Sequence, residues 1–195
     1  MSNIGYADED GYDDRVKMII QSAVKLNLTK VLAHAPGHIE SVLRLSDAVQ
    51  NRGVIDPVLR QVALVRLCVV TRSPYELTLH ESVCKGLGMT EELIKQAREG
   101  SSCEGLAEEH RMAAMLAEEL AFNTAPKPAT HDYFLNNFTP REYVELVQGI
   151  GFYMMQIRII ETFEVKAENP PIDLTKGGVE GGDTSQLEAW RNGRL

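Results

Sequence analysis

Asp56-Pro57-Val58-Leu59-Arg60-Gln61-Val62-Ala63-Leu64-Val65-Arg66-Leu67-Cys68-Val69-Val70-Thr71-Arg72-Ser73-Pro74-Tyr75-Glu76-Leu77-Thr78-Leu79-His80 is the stretch that decides how this chain folds. Two small polar residues, each followed by proline, mark two helix starts at Asp56-Pro57 and Ser73-Pro74. A side-chain oxygen at the N-cap takes an orphan backbone N–H, and proline at the next position removes no hydrogen bond that the helix would make. Between the two starts, Leu59, Val62, Ala63, Val69 and Val70 recur at three- and four-residue steps, the spacing of an inward helical face. The run Val62–Val70 is β-branched in places, but it is too long and too well capped to read as a strand. A second helix follows after almost no loop, with Leu77, Val83, Cys84 and Leu87 as its apolar stripe.

The same grammar recurs outward from this stretch. Thr139-Pro140 is a third start, and both Ser73…Glu76 and Thr139…Glu142 have the capping-box spacing. Thr90-Glu91-Glu92 opens a short helix, and Gly86 and Gly88 close the one before it. The pattern predicts helices near 13–26, 36–51, 57–72, 74–87, 90–98, 105–123, 129–137 and 140–165, with no strand signal. The fold class is all-α, a bundle of about eight helices. Residues 1–12 read as a flexible acidic N-terminus and 13–167 as one helical domain. Residues 168–195 read as a Gly/Pro-rich arm, punctuated by Asn169-Pro170-Pro171, Gly177-Gly178 and Gly181-Gly182. Trp190, the one tryptophan, sits in this arm, either docked or exposed.

Composition narrows the function classes. The 195 residues are 44% hydrophobic, enough for a sizeable core and for a single domain. A net charge of −8 argues against a nucleic-acid partner, which needs a basic face to displace phosphate counterions. Arg66 cuts the longest apolar run well short of the ~20 residues of a membrane span. Met1–Ile4 followed by Asp8, Glu9 and Asp10 lacks the basic and apolar regions of a signal peptide. Cys68, Cys84 and Cys103 form no CxxC pair, so a reducing, cytoplasmic location is expected.

Three helices carry residues with chemistry. Arg66 falls on the inward face of helix 57–72, where a guanidinium needs a partner. That partner is either a structural carboxylate, Glu76 or Glu161, or the carboxylate of a substrate gripped by a planar fork. His80 lies in the apolar stripe of helix 74–87, with Glu76 one turn before it at i,i+4. A carboxylate beside an imidazole fixes its tautomer and suits general acid–base work, although a hydrogen-bonded core histidine has the same spacing. Two ligands without HExxH or CxxC do not make a metal site, so no metal is expected. In helix 140–165, Tyr153, Gln156 and Arg158 are the polar positions that could reach a pocket, and Gly149 and Gly151 suggest close approach by another helix.

Taken together, these segments resemble the carboxymuconolactone decarboxylase family within the alkylhydroperoxidase D-like superfamily. The resemblance runs from about Val31 to Val165. Arg60-Gln61-Val62-Ala63-Leu64-Val65-Arg66, continuing to Tyr75-Glu76-Leu77-Thr78-Leu79-His80, is similar to an R-E-x4-R segment that leads into a Y-E-x3-H helix. Phe152-Tyr153-Met154-Met155-Gln156-Ile157-Arg158 resembles a Y-N-M-x-x-R run. The peroxidase branch carries C-x-x-C-x3-H and an earlier glutamate. Here Ser73 and Glu76 stand in the cysteine positions and Gln61 in the glutamate position. The decarboxylase branch keeps Glu76 and His80 but usually has glutamate where this chain has Gln61, and Met154 replaces the asparagine of the last run.

The resemblance implies a cofactor-free lyase that decarboxylates a small carboxylated lactone or unsaturated cyclic acid, with elimination and isomerisation as related outcomes. Arg66 would hold the carboxylate, and His80 oriented by Glu76 would deliver the proton. Tyr75, Tyr153, Gln61 and Arg158 would contact the substrate. Family members assemble as rings, so a homotrimer or homohexamer is expected. Two other readings remain: a ligand- or partner-binding protein that has lost the relay, and a thiol peroxidase using Cys84, which lacks its CxxC partner.

Overall fold

The computed structural model describes residues 2–7, 12, 14–22 and 26–175. Its helices are α1 Asp14–Ser22, α2 Asn27–Leu32, α3 Pro36–Asn51, α4 Pro57–Val70, α5 Pro74–Gly86, α6 Glu91–Glu99, α7 Glu108–Phe122, α8 Pro128–Asn137 and α9 Pro140–Thr162. A 3-10 turn, Gly100–Ser102, follows α6. No strand occurs among the described residues, and no described helix is long and apolar enough to cross a membrane.

Three of the four expected caps form. Asp56 Oδ1 accepts from Leu59 N at 2.8 Å, Thr90 Oγ1 accepts from Leu93 N at 3.1 Å, and Thr139 with Glu142 forms a complete capping box. The Ser73 box does not form. Ser73 is buried, and its hydroxyl donates instead to Glu161 Oε1 of α9 at 2.6 Å, while Glu76 turns into the interior. α1 covers Asp14–Ser22 of the helix expected over 13–26, and α2 is a helix that the pattern did not predict. Leu26 is extended (φ −80°, ψ 144°), which separates α2 from α1.

α4 is apolar on nearly every side, so the physical solution is to surround it. Val62, Ala63, Leu64, Val65 and Leu67 are wholly buried against α5, α6, α7 and α9. On one side, Leu64, Leu67 and Cys68 pack with Leu116, Phe134, Leu146 and Ile150. On the other, Val62 and Val65 pack with Cys84, Ile94, Ala97 and Ala114. Each such large side chain contributes roughly 1.5–3 kcal/mol by leaving water. Glu145 of α9 fixes the entry to α4 by accepting from Val54 N at 2.7 Å and Ile55 N at 3.0 Å.

Close helix approach does not explain the α9 glycines. A Cβ at Gly149 would meet only Val49 Cγ1 at an ordinary 3.6 Å, and one at Gly151 would meet nothing within 4 Å. The start of the C-terminal arm is docked. Glu168 accepts from Asn27 N and from the Tyr75 hydroxyl, each at 2.7 Å, and Leu174 N donates to Ser82 Oγ at 2.8 Å. The rest of the arm, with Trp190, lies outside the described residues, as does much of the expected N-terminal segment.

Candidate functional site

α5 crosses α4 so that Glu76 and His80 face Gln61 across the interface. His80 Nε2 stands 3.7 Å from Glu76 Oε2, and His80 Nδ1 stands 2.8 Å from Gln61 Oε1. None of the three side chains is appreciably wet: Gln61 is 0%, His80 2% and Glu76 3% exposed. Tyr153 of α9 closes the site edge-on, its ring 4.4 Å from the imidazole.

A fourth helix completes the surround. Gln50, near the end of α3, accepts at Oε1 from Gln61 Nε2 at 3.3 Å and from Arg60 Nη2 at 3.3 Å, and donates from Nε2 to the Tyr153 hydroxyl. Arg60 Nη2 also donates to the Gln50 carbonyl at 2.9 Å. Among the described residues, two atoms in this cluster are buried without a hydrogen-bond partner, Arg60 Nε and His80 Nε2. Gln156 Oε1 on α9 is a third such atom.

Burial sets the protonation of the pair. Removal from water raises the Glu76 carboxyl to about 8, and the negative charge of Glu168 adds to the effect. The same desolvation lowers His80 to about 3, with the Arg60 guanidinium acting in the same direction. Near neutral pH, therefore, the carboxyl keeps its proton and the imidazole is uncharged. Burial also pushes the Tyr153 hydroxyl well above its ordinary range.

The structure thus brings together Gln61, Glu76, His80 and Tyr153 of the residues singled out in the sequence. It leaves Arg66, Tyr75 and Arg158 elsewhere. Arg66 pairs with neither Glu76 nor Glu161: its Nε donates to Glu118 Oε1 of α7 at 2.6 Å and its Nη1 to the Arg98 carbonyl at 2.6 Å. α4 is enclosed on so many sides that the face carrying Arg66 looks toward α6 and α7, not toward α5's Glu76. The Tyr75 hydroxyl is occupied by Glu168 and by Leu28 N at 3.3 Å. Arg158 is exposed and donates to the Met154 carbonyl of its own helix, at 3.3 Å.

Arg60 and Gln50 were not singled out as site residues. Arg60 had one signal, its place at the head of the Arg60–Arg66 run of α4. Gln50 had none, because nothing local shows that the end of α3 docks beside α4 and α9. No disulfide links the three cysteines, which are free and buried. Burial raises the Cys68 thiol well above its ordinary range and pushes Cys84 up to about 12. Among the described residues no three His, Cys, Asp or Glu side chains cluster as metal ligands.

No family model matches the sequence, and comparison with curated proteins gives no match. The fold does have a counterpart among solved structures. A protein of unknown function from Agrobacterium tumefaciens, proposed to be the antioxidant defence protein AhpD, superposes with a TM-score of 0.60 at 18% identity. The match covers 69% of this chain and 93% of that one. At this identity the likeness establishes the fold alone: the chain shares the all-helical fold of that protein.

Proposed function

We propose that this alkylhydroperoxidase D-like chain is a cofactor-free acid–base enzyme, a carboxy-lyase acting on a small carboxylated lactone or unsaturated cyclic acid. The observation that carries the reading is the buried pair Glu76–His80, whose carboxyl is raised to about 8 while its imidazole is lowered to about 3. A carboxyl that holds its proton at neutral pH is a general acid, and a neutral imidazole beside it is the matching acceptor.

In a decarboxylation, the C–C bond to the leaving carboxylate breaks and carbon dioxide departs. The electron pair stays on the substrate, delocalised into its carbonyl. Glu76 supplies the proton that this carbon takes up, with His80 Nε2 beside it to share the charge change. The ionised Glu76 then recovers a proton from solvent. Arg60 takes the anchoring role first assigned to Arg66, because its Nε is an unmet buried donor whereas Arg66 is committed to Glu118. The same apparatus serves an elimination or a double-bond isomerisation.

The experiment is turnover of a panel of carboxylated lactones and cyclic unsaturated acids in heavy water, with mass spectrometry of the products. The reading expects one deuterium at the carbon that lost carbon dioxide, and loss of this activity in Glu76→Gln and His80→Ala. Both variants turning over within a few-fold of wild type would remove the pair from the mechanism.

One observation favours a second reading, a ligand-binding protein without turnover: the group that meets His80 Nδ1 is the amide of Gln61, which cannot exchange a proton as a carboxylate would. Such a protein would gain thermal stability from a panel member by mass action and convert none of them. The antioxidant role proposed for the Agrobacterium protein would need a thiolate and a resolving partner. The raised, buried Cys68 and Cys84 thiols argue against that chemistry here.

A further inference from the structure

We infer that Gln50 of α3, oriented by the guanidinium of Arg60, is a positioning residue that fixes which nitrogen of His80 carries the proton. The inference deepens the acid–base reading of the same site, yet it concerns the resting protein alone.

The argument is one of donor and acceptor counting. A guanidinium has donors only. Arg60 Nη2 points at the Gln50 side chain at 3.3 Å, so Gln50 must present its oxygen there, since its NH2 would set donor against donor. That same oxygen receives Gln61 Nε2 at 3.3 Å, so Gln61 spends its NH2 on Gln50 and turns its own oxygen toward His80. Gln61 Oε1 lies 2.8 Å from His80 Nδ1 and can only accept, so Nδ1 carries the hydrogen. The Nε2 lone pair is then left facing Glu76 Oε2 at 3.7 Å, which is why that buried nitrogen has no donor duty. Gln50 completes its own set by donating to the Tyr153 hydroxyl, which anchors the amide from its other end.

One consequence separates this chain from one with a carboxylate at position 61. An amide oxygen accepts the hydrogen bond from Nδ1 but does not take the proton. The relay therefore ends at His80, and exchange occurs only on the Nε2 side, with Glu76.

The test is the nitrogen NMR spectrum of the full chain labelled with 15N-histidine, recorded near neutral pH without substrate. The expected wild-type His80 signature is a protonated Nδ1 and an unprotonated Nε2, with a cross-peak pattern distinct from the other four histidines. Assignment comes from its loss in His80→Ala. In Gln50→Leu the acceptor is gone, Gln61 is free to turn its NH2 to Nδ1, and the signature should move to protonated Nε2. In Gln50→Glu a carboxylate still accepts from both Arg60 and Gln61, so the wild-type signature should return. A general packing defect would not discriminate between these two variants in that way. Wild-type His80 protonated at Nε2 would overturn the inference whether or not any variant folds, and so would a folded Gln50→Leu protein that retains protonated Nδ1. If the tautomer is as expected while His80→Ala keeps its turnover, the functional reading fails and the positioning role stands.

Discussion

Glu76 Oε2 and His80 Nε2 face each other at 3.7 Å, one helical turn apart and closed off from solvent, with pKa values displaced past one another. The displacement couples the pair to stability in opposite directions. A raised carboxyl stabilises the fold below its unfolded value of 4.5, and that contribution is lost as pH rises toward about 8. A lowered imidazole stabilises it above its unfolded value of 6.5, and that contribution is lost as pH falls toward about 3.

The pair's contribution should therefore be level between pH 4.5 and 6.5, where the two slopes cancel, and should fall between 6.5 and 8. The fall amounts to about 2 kcal/mol at ~1.4 kcal/mol per pH unit. Glu76→Gln removes it. Denaturant unfolding at both ends of the window should show the variant gaining that amount on wild type as pH rises. A constant difference would show that Glu76 titrates as an ordinary carboxylate.

Arg60 and Arg66 should separate cleanly. Arg66→Ala removes a charge-assisted bond to Glu118, so unfolding should shift by about 1–3 kcal/mol while the folded fraction turns over normally. Arg60→Lys should instead lower kcat/KM by roughly tenfold or more, because an ammonium lacks the fork that reaches Gln50 and still offers a free N–H. The opposite pattern would restore Arg66 to the site.

Gly100 should not tolerate a side chain. Its φ is +78°, and an added Cβ would lie 2.1 Å from Arg66 Nε. Gly100→Ala should destabilise the protein by more than about 1 kcal/mol in chemical denaturation, with no change in kcat for the molecules that stay folded. A variant as stable as wild type would mean that the turn has another conformation open to it.

The thiols should be slow. Cys68, Cys84 and Cys103 are all buried, so a thiol reagent should label them at the rate of unfolding rather than on mixing. Rapid labelling of Cys84 in folded protein would reopen the thiol-peroxidase reading.

Whatever depends on neighbours within one helical turn is legible in the order of residues. Asp56, Thr90 and Thr139 mark their helix starts because a capping oxygen meets an N–H two or three residues on, whatever the rest of the chain does. Glu76 and His80 share a face of α5 for the same reason, since helix geometry alone brings i and i+4 together. Ser73 shows the limit of that logic: its cap spacing is correct, yet the hydroxyl bonds Glu161 of a helix distant in sequence.

Tertiary structure alone decided which cation and which amides meet the histidine. Arg60 and Arg66 both lie on α4, and hydrophobic spacing identified an inward face but not what each side of a surrounded helix looks upon. The crossing of α4 with α7 gave Arg66 to Glu118, and the docking of α3 beside α9 brought Gln50 between Arg60, Gln61 and Tyr153. Local hydrogen bonds and helical periodicity act over a few residues and are written in the order of side chains. The partners of a buried polar group are chosen by how apolar faces pack across the whole chain, where the cost of leaving a charge or an amide unmet selects among arrangements that the helices alone would permit.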